Sequence, residues 1–75
     1  MKVNKIKLGQ YCREWRENNH ISLQSMAIKS NTIYTHISRF ERGENASLKL
    51  VLVYMSLGME IDNPSDFLIE GKDDE

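Results

Sequence analysis

Apolar residues recur at three- and four-residue spacing along most of the chain, and polar breaks interrupt them at short intervals. In the first segment Leu8, Cys12 and Trp15 form one apolar stripe, which is typical of an amphipathic helix. The same pattern, taken between the breaks, predicts five helices, over residues 5–18, 23–30, 33–42, 48–57 and 64–70. No segment is a convincing β-strand, so we expect an all-α fold.

Residues typical of helix ends stand between the predicted helices. Three hydroxyl residues directly precede helices two, three and four and are predicted to cap them: Ser22, Thr32 and Ser47. Asn63 is predicted to cap the fifth helix, with Pro64 at its first position. Residues that tolerate a left-handed backbone follow helices two, three and four: Asn31, Gly43 and Gly58.

The third and fourth predicted helices differ in their patterns. Ile33, Ile37 and Phe40 are placed on one face of helix three. Residues 48–57 are apolar almost all round, so we expect helix four to be the most buried. A central strand over residues 50–54 is the alternative, but the serine before this segment favours a helix.

Composition limits the chain to one small domain. Its 75 residues predict a single domain over residues 1–70, followed by an acidic tail over residues 71–75. Such a chain buries only about 60% of its unfolded surface, so dimerisation would help it. The single cysteine excludes an internal disulfide, and the longest apolar stretch falls short of the roughly 20 residues of a membrane span. We expect a cytoplasmic protein.

Residues that support catalysis or metal binding are few. Cys12, His20 and His36 do not supply the three or four convergent ligands of a zinc site. Cys12 lies on the apolar face of helix one, which favours a buried thiol over a nucleophile. The sequence has neither a glycine-rich phosphate loop nor a nucleophile–base spacing. We therefore expect neither an enzyme nor a bound metal or cofactor.

The charged residues are unevenly distributed. Residues 1–43 hold eight Lys or Arg and three acidic residues, a net charge of +5, whereas residues 44–75 carry a net charge of −6. This asymmetry fits a surface that binds a polyanion. Ordinary scatter of charge with an acidic tail explains it equally well.

Residues 23–42 have the spacing of a helix-turn-helix, in which the second helix enters the major groove of DNA. Ala27 is small enough to let the two helices cross closely, and Asn31 suits the turn. Ile37 and Phe40 anchor the second helix on the core. Two short helices joined by a tight turn are therefore predicted.

The same residues resemble the Cro/C1-type (XRE) helix-turn-helix family. The most specific match is Ile37-Ser38-Arg39-Phe40-Glu41-Arg42-Gly43, close to a family ending of Ile, Ser, any residue, an apolar residue, Glu, any residue and Gly. Met26-Ala27 stands at the expected interval before it, and the resemblance covers residues 8–58. It implies a five-helix, lambda-repressor-like domain that regulates transcription. Such a regulator binds a pseudo-palindromic operator in double-stranded DNA as a homodimer.

The resemblance also implies roles for individual residues. Arg16 and Glu41 correspond to an ion pair that joins helix one to helix three; two unrelated exposed charges are the alternative. Base contacts are implied for Ile33, Tyr34, Thr35, Ser38 and Arg39. Phosphate contacts are expected from Ser22, Gln24, Thr32, His36, Arg42 and Asn45. The alternative is that the residues assigned to base contacts form an ordinary solvated helix face, which holds one arginine by chance.

Apolar residues after helix four are the expected dimer interface, unless they belong to the core: Met59, Ile61, Phe67, Leu68 and Ile69.

A second function remains open. Leu23 stands where the family usually has glutamine, and Glu44 stands where a basic residue is frequent. With the acidic tail, these residues favour a helix-turn-helix fold used as a protein-binding module, such as an anti-repressor or the partner of a toxin.

Overall fold

The computed structural model describes residues 2–69, and most of them are helical. Four α-helices follow one another: α1 (Lys5–Asn18), α2 (Leu23–Lys29), α3 (Tyr34–Glu41) and α4 (Leu48–Ser56). A 3-10 helix, Pro64–Phe67, comes next, and two short strands lie near the ends of this chain, β1 (Lys2–Val3) and β2 (Leu68–Ile69). Within residues 2–69 no helix has both the length and the apolar content that crossing a membrane requires.

The structure corrects two predictions about elements. β1 and β2 form an antiparallel two-stranded sheet, with Lys2 opposite Ile69 and Val3 opposite Leu68, although no strand is predicted. Two residues per strand are too few to produce an alternating pattern. The predicted fifth helix is one 3-10 turn, so the described chain has four α-helices and not five. Residue 70 and the predicted tail, residues 71–75, lie outside the described residues.

Serine side chains start α2 and α4 as predicted. The Ser22 Oγ accepts a hydrogen bond from the Ser25 amide at 3.0 Å, and the Ser47 Oγ accepts one from the Leu50 amide at 3.2 Å. Each serine thereby satisfies one of the amides that the first turn of a helix leaves without a partner.

The start of α3 differs from the prediction. Ile33 occupies the cap position in place of Thr32, and no side chain caps the helix. The Thr32 hydroxyl instead lies 3.0 Å from the Nδ1 of His36. Asn31 has a φ of 56°, the left-handed conformation expected for the turn. The first amides of α3 therefore have no side-chain acceptor.

A close contact brings α1 against α3. A Cβ on Gly9 would lie 2.5 Å from the Phe40 carbonyl oxygen, so only glycine permits this approach. The core forms around the contact and consists of Leu8, Cys12, Met26, Ala27, Ile37, Phe40, Leu50, Tyr54, Met59 and Phe67. Ile33 does not share the buried face of Ile37 and Phe40, because it is 69% exposed.

The most apolar helix, α4, is not the most buried one. Leu50 and Tyr54 lie in the core, whereas Leu48, Leu52 and Met55 are 75%, 55% and 40% exposed. The core contacts only the side of α4 that carries Leu50 and Tyr54, so the opposite side faces solvent.

Two of the five predicted dimer-interface residues belong to the core. Met59 is 2% exposed, and Phe67 is 9% exposed and packs edge-on against Tyr11 at a centroid distance of 5.2 Å. Ile61 is partly buried beside them, while Leu68 and Ile69 remain exposed. The predicted patch is therefore corrected: Met59 and most of the Phe67 side chain belong to this chain's own core.

Candidate nucleic-acid interface

α3 has one side in the core and one in solvent. Ile37 and Phe40 are 0% and 1% exposed and hold the inner side. Ser38 is half-buried, and the other four residues predicted to contact bases are exposed: Ile33, Tyr34, Thr35 and Arg39. Aliphatic, aromatic, hydroxyl and guanidinium groups are thus accessible together along one short helix.

Glu44 contacts both exposed arginines at the C-terminal end of α3. Its Oε2 accepts a hydrogen bond from the Arg42 Nε at 3.1 Å, and its Oε1 lies 3.9 Å from the Arg39 Nε. Gly43, with a φ of 83°, turns the chain between them. All three charged side chains are more than half exposed, so these ion pairs are weak, and the arginines can leave Glu44 for another anion. From the sequence, Glu44 is only a departure from the family pattern, and these contacts are not predicted.

A concave surface of about 240 Å³ lies where α1, α2 and α3 meet. Arg13 and Arg42 line it together with Leu23 and Ser38. Arg13 is absent from the predicted contacts, although it stands three residues before Arg16 and so lies on the same side of α1. In this structure Arg13 also pairs with Glu17 across one helical turn, at 3.1 Å. Arg16 and Glu41 also line the cleft, so the two exposed guanidinium groups beside it are those of Arg13 on α1 and of Arg42, which follows α3.

The other residues predicted to contact phosphate are in different situations. Ser22 and Gln24 are exposed at the start of α2, and Thr32 and His36 bond to each other at the start of α3. Asn45 is half-buried, and its Oδ1 is buried without a hydrogen-bond partner among the described residues. A phosphate only accepts hydrogen bonds, so a contact from Asn45 would come from its Nδ2 or its backbone amide and not from this oxygen.

Arg16 and Glu41 form the bidentate ion pair that the resemblance implies. The Arg16 Nε and Nη2 donate to the two Glu41 carboxylate oxygens at 2.8 and 3.0 Å, and Nη1 donates to the Ile21 carbonyl oxygen at 2.7 Å. The hydrogen bonds to Glu41 raise the pKa of Arg16. The two side chains are only 8% and 3% exposed. This pair joins the C-terminal end of α1 to the C-terminal end of α3.

Tyr54 is a third member of this buried network, and the sequence analysis missed it. Its hydroxyl donates a hydrogen bond to the Glu41 Oε2, so α4 is joined to α3. Burial, and then this hydrogen bond, raise the pKa of Tyr54. A tyrosine among the aliphatic residues of an apolar helix is the signal that was available, because a buried phenol needs a partner.

The side chains that commonly bind metals are separated in the described structure. Within residues 2–69 no three His, Cys, Asp or Glu side chains lie together as a metal site would require. Cys12 is buried in the core, and burial, helped by the charge of Glu41, raises the pKa of its thiol to about 12. His20 and His36 are exposed, His20 in the turn after α1.

Comparison with known proteins gave no relative: the chain matches no family model, no curated protein and no solved structure. The interpretation of α3 therefore depends on the geometry and charge described above and on the sequence motif.

Proposed function

We propose that this chain is a sequence-specific DNA-binding regulator of transcription, in which α2, the turn and α3 act as the helix-turn-helix of a lambda-repressor-like domain. The observation that carries the proposal is the outer side of α3, where Tyr34, Thr35 and Arg39 are exposed while Ile37 and Phe40 hold the inner side. An α-helix held in this way fits the major groove of B-form DNA.

The exposed groups of α3 suit the edges of base pairs. The guanidinium of Arg39 donates two parallel hydrogen bonds to O6 and N7 of a guanine. Thr35 and Ser38 carry hydroxyls that bond to a base edge or a phosphate, and Tyr34 and Ile33 pack against thymine methyl groups. In this assignment Arg39 contributes most of the base preference.

Phosphate contacts come from groups on both sides of α3. Arg13 and Arg42 border the cleft between the helices, and Ser22 and Gln24 are exposed beside it on α2. The uncapped first turn of α3 adds backbone amides that attract an anion. Each phosphate that the protein neutralises makes log K fall by about 0.9 for each log unit of salt.

Selection of bound fragments from random duplex DNA tests the proposal. We expect an inverted repeat whose half-sites lie about 34–36 Å apart, because a two-fold dimer presents its two recognition helices one helical turn apart. Binding to the selected repeat is expected to weaken steeply with salt, whereas no enriched motif at low salt would overturn the proposal.

The contacts of Glu44 favour a second candidate function. By pairing with Arg39 and Arg42, Glu44 reduces the positive charge at the end of α3. Leu23 adds an apolar group to the nearby cleft. Both features suit a protein-binding module. A pull-down with such a module would yield one protein in stoichiometric amount, and its affinity would depend only weakly on salt. DNA selection and salt titration together separate the two functions.

A further inference from the structure

The side of α4 that faces away from the core is apolar and uncovered. Leu48, Leu52 and Met55 recur at four- and three-residue spacing and form one stripe, here called the outer face of α4. The three side chains are 75%, 55% and 40% exposed. Single exposed aliphatic residues are common on protein surfaces, but an aligned stripe on one helix is typical of an interface.

An apolar groove continues the outer face of α4 toward the small sheet. Its volume is about 350 Å³, and Leu48 borders it together with Val51, Ile61, Phe67 and Leu68. Leu68 and Ile61 belong to the patch that the sequence predicts as a dimer interface. The exposed part of that patch and the outer face of α4 are therefore one continuous surface.

The size of this surface suits a second copy of the chain. The outer face of α4 and the exposed part of Leu68 together offer an apolar area on the order of 400 Å². A stable interface buries about 800 Å² on each partner, and somewhat more than half of that area is apolar. The apolar area available is thus close to what one side of a dimer requires.

The charges of α4 also favour a second copy of the chain whose α4 lies antiparallel to the first. Lys49 lies in the first turn, where the helix dipole disfavours a cation, and it has no ion-pair partner within residues 2–69. The last turn of α4 has no basic residue. An antiparallel copy places each Lys49 beside the C-terminal turn of the other α4, where a cation is favoured.

We propose that two copies of this chain associate through the outer face of α4, with the two α4 helices antiparallel and Leu52 at the two-fold axis. Leu48 then packs against Met55 of the second copy, and the groove beside Leu48 receives apolar side chains from the end of the second α4. The inference rests on the proposed function, because a pseudo-palindromic operator requires a two-fold dimer.

Sedimentation velocity without DNA tests this interface. The wild-type chain is expected to sediment as a dimer of twice 8.7 kDa at tens of micromolar, and Leu52→Glu is expected to raise the dimer dissociation constant at least about 30-fold. Ile28→Glu is the matched control, since Ile28 is 74% exposed on α2 and lies outside the interface, so this variant should remain dimeric. A monomeric wild type, or a dimeric Leu52→Glu, overturns the proposal.

Cross-linking tests the register without depending on the stability of a charged variant. A residue on the two-fold axis faces its own counterpart, so Leu52→Cys is expected to form a covalent dimer under mild oxidation. Leu48→Cys and Met55→Cys are expected to cross-link with each other when mixed and poorly when alone. Ile28→Cys is expected to stay monomeric on a denaturing gel. Equal cross-linking of Leu52→Cys and Ile28→Cys contradicts the antiparallel arrangement.

The two proposals fail in different ways. If DNA selection yields no motif but Leu52→Glu converts a dimer to monomers, the α4 interface stands and the regulatory function does not. If an inverted repeat is selected while Leu52→Glu leaves the dimer unchanged, the function stands and the dimer forms elsewhere.

Discussion

α3 and α4 are of similar length, and each buries one side in the same core, yet their outer sides differ in kind. α3 exposes Tyr34, Thr35 and Arg39, groups that form hydrogen bonds and carry charge. α4 exposes Leu48 and Leu52, which do neither. The comparison shows that apolar content does not decide which helix is most buried. The core covers one side of each helix, and the residues left outside decide what kind of partner each helix suits.

The largest expected effect comes from the network that joins the two helices. Arg16→Ala leaves the buried Glu41 carboxylate without its cation, which costs about 3–5 kcal/mol of unfolding free energy. A chain of this length is stabilised by only about 4–11 kcal/mol, so the variant should lose a large share of its unfolding free energy and unfold at a much lower urea concentration. Urea titration followed by circular dichroism measures the loss.

Arg13→Ala is the control for this variant, because Arg13 lies one turn earlier on α1 and its side chain is 56% exposed. We expect a change below about 0.5 kcal/mol. Equal costs for the two arginines would show that the buried network does not stabilise the fold.

The contrast between the two sides of α4 is tested by two leucines on the same helix. Leu50 is 1% exposed and Leu52 is 55% exposed. Leu50→Ala should cost about 2–5 kcal/mol, because it leaves a cavity in the core. Leu52→Ala should cost less than about 0.5 kcal/mol in dilute, monomeric protein. Thermal unfolding at low concentration compares them, and a large loss for Leu52→Ala would mean that the outer face is covered by its own chain.

The outer side of α3 is tested by Arg39→Ala. Loss of a bidentate contact to guanine should weaken binding to the selected operator by about 1–3 kcal/mol and relax the preference at one base pair. Competition binding against operators changed at single positions measures both effects. Lys29→Ala, at the end of α2, removes a charge of the same sign and should leave base preference unchanged. A uniform weakening on all sequences would assign Arg39 to a phosphate.

The core between α1 and the inner side of α4 is also sensitive to alkaline pH. Cys12 and Tyr54 both have pKa values raised by burial, so the folded chain keeps protons that the unfolded chain releases. Stability is therefore full below the ordinary thiol pKa of 9.0 and is lost as pH rises toward about 12. Cys12 lowers the unfolding free energy by about 1.4 kcal/mol per pH unit in that range, and Tyr54 adds to the loss only above its own ordinary pKa of 10.0.

Urea midpoints measured from pH 7 to about pH 10.5 follow this loss, and Cys12→Ala should make the decline shallower. A flat profile would mean that these groups ionise freely in the folded chain.

The smallest expected effect concerns Glu44. Glu44→Gln frees Arg39 and Arg42 from an exposed ion pair, so DNA affinity should rise about two- to fivefold, in line with the small contribution of such pairs. Glu60→Gln removes the same charge from an exposed position and controls for net charge. The same gain from both variants would indicate a general charge effect and not release of the arginines. Fluorescence anisotropy resolves a difference of this size.

Features that depend on neighbours in sequence were predictable. Ser22 and Ser47 cap helices, and Asn31 adopts its left-handed turn. Thr32 shows the limit of this reasoning, because its hydroxyl bonds to His36 and leaves the cap position to Ile33. A backbone amide and the His36 ring compete for the Thr32 hydroxyl, and the sequence does not rank these two partners.

The candidate site was predictable in part, from a family resemblance and not from local sequence patterns. The ion pair of Arg16 with Glu41 came from a resemblance, since no spacing rule joins residues 25 apart. The contacts of Glu44 and the place of Arg13 at the cleft depend on how α1, α3 and the following turn approach one another, which no local pattern encodes.

The sequence by itself determined where α1, α2 and α4 begin and where the chain turns after α2, because those hydrogen bonds form within a few residues. Only the tertiary structure decided that Tyr54 reaches Glu41, that β1 pairs with β2, and that one side of α4 stays uncovered. The physical reason is that burial belongs to a pair of surfaces. An apolar helix supplies one of these surfaces. The rest of the fold determines how much of that helix surface is covered.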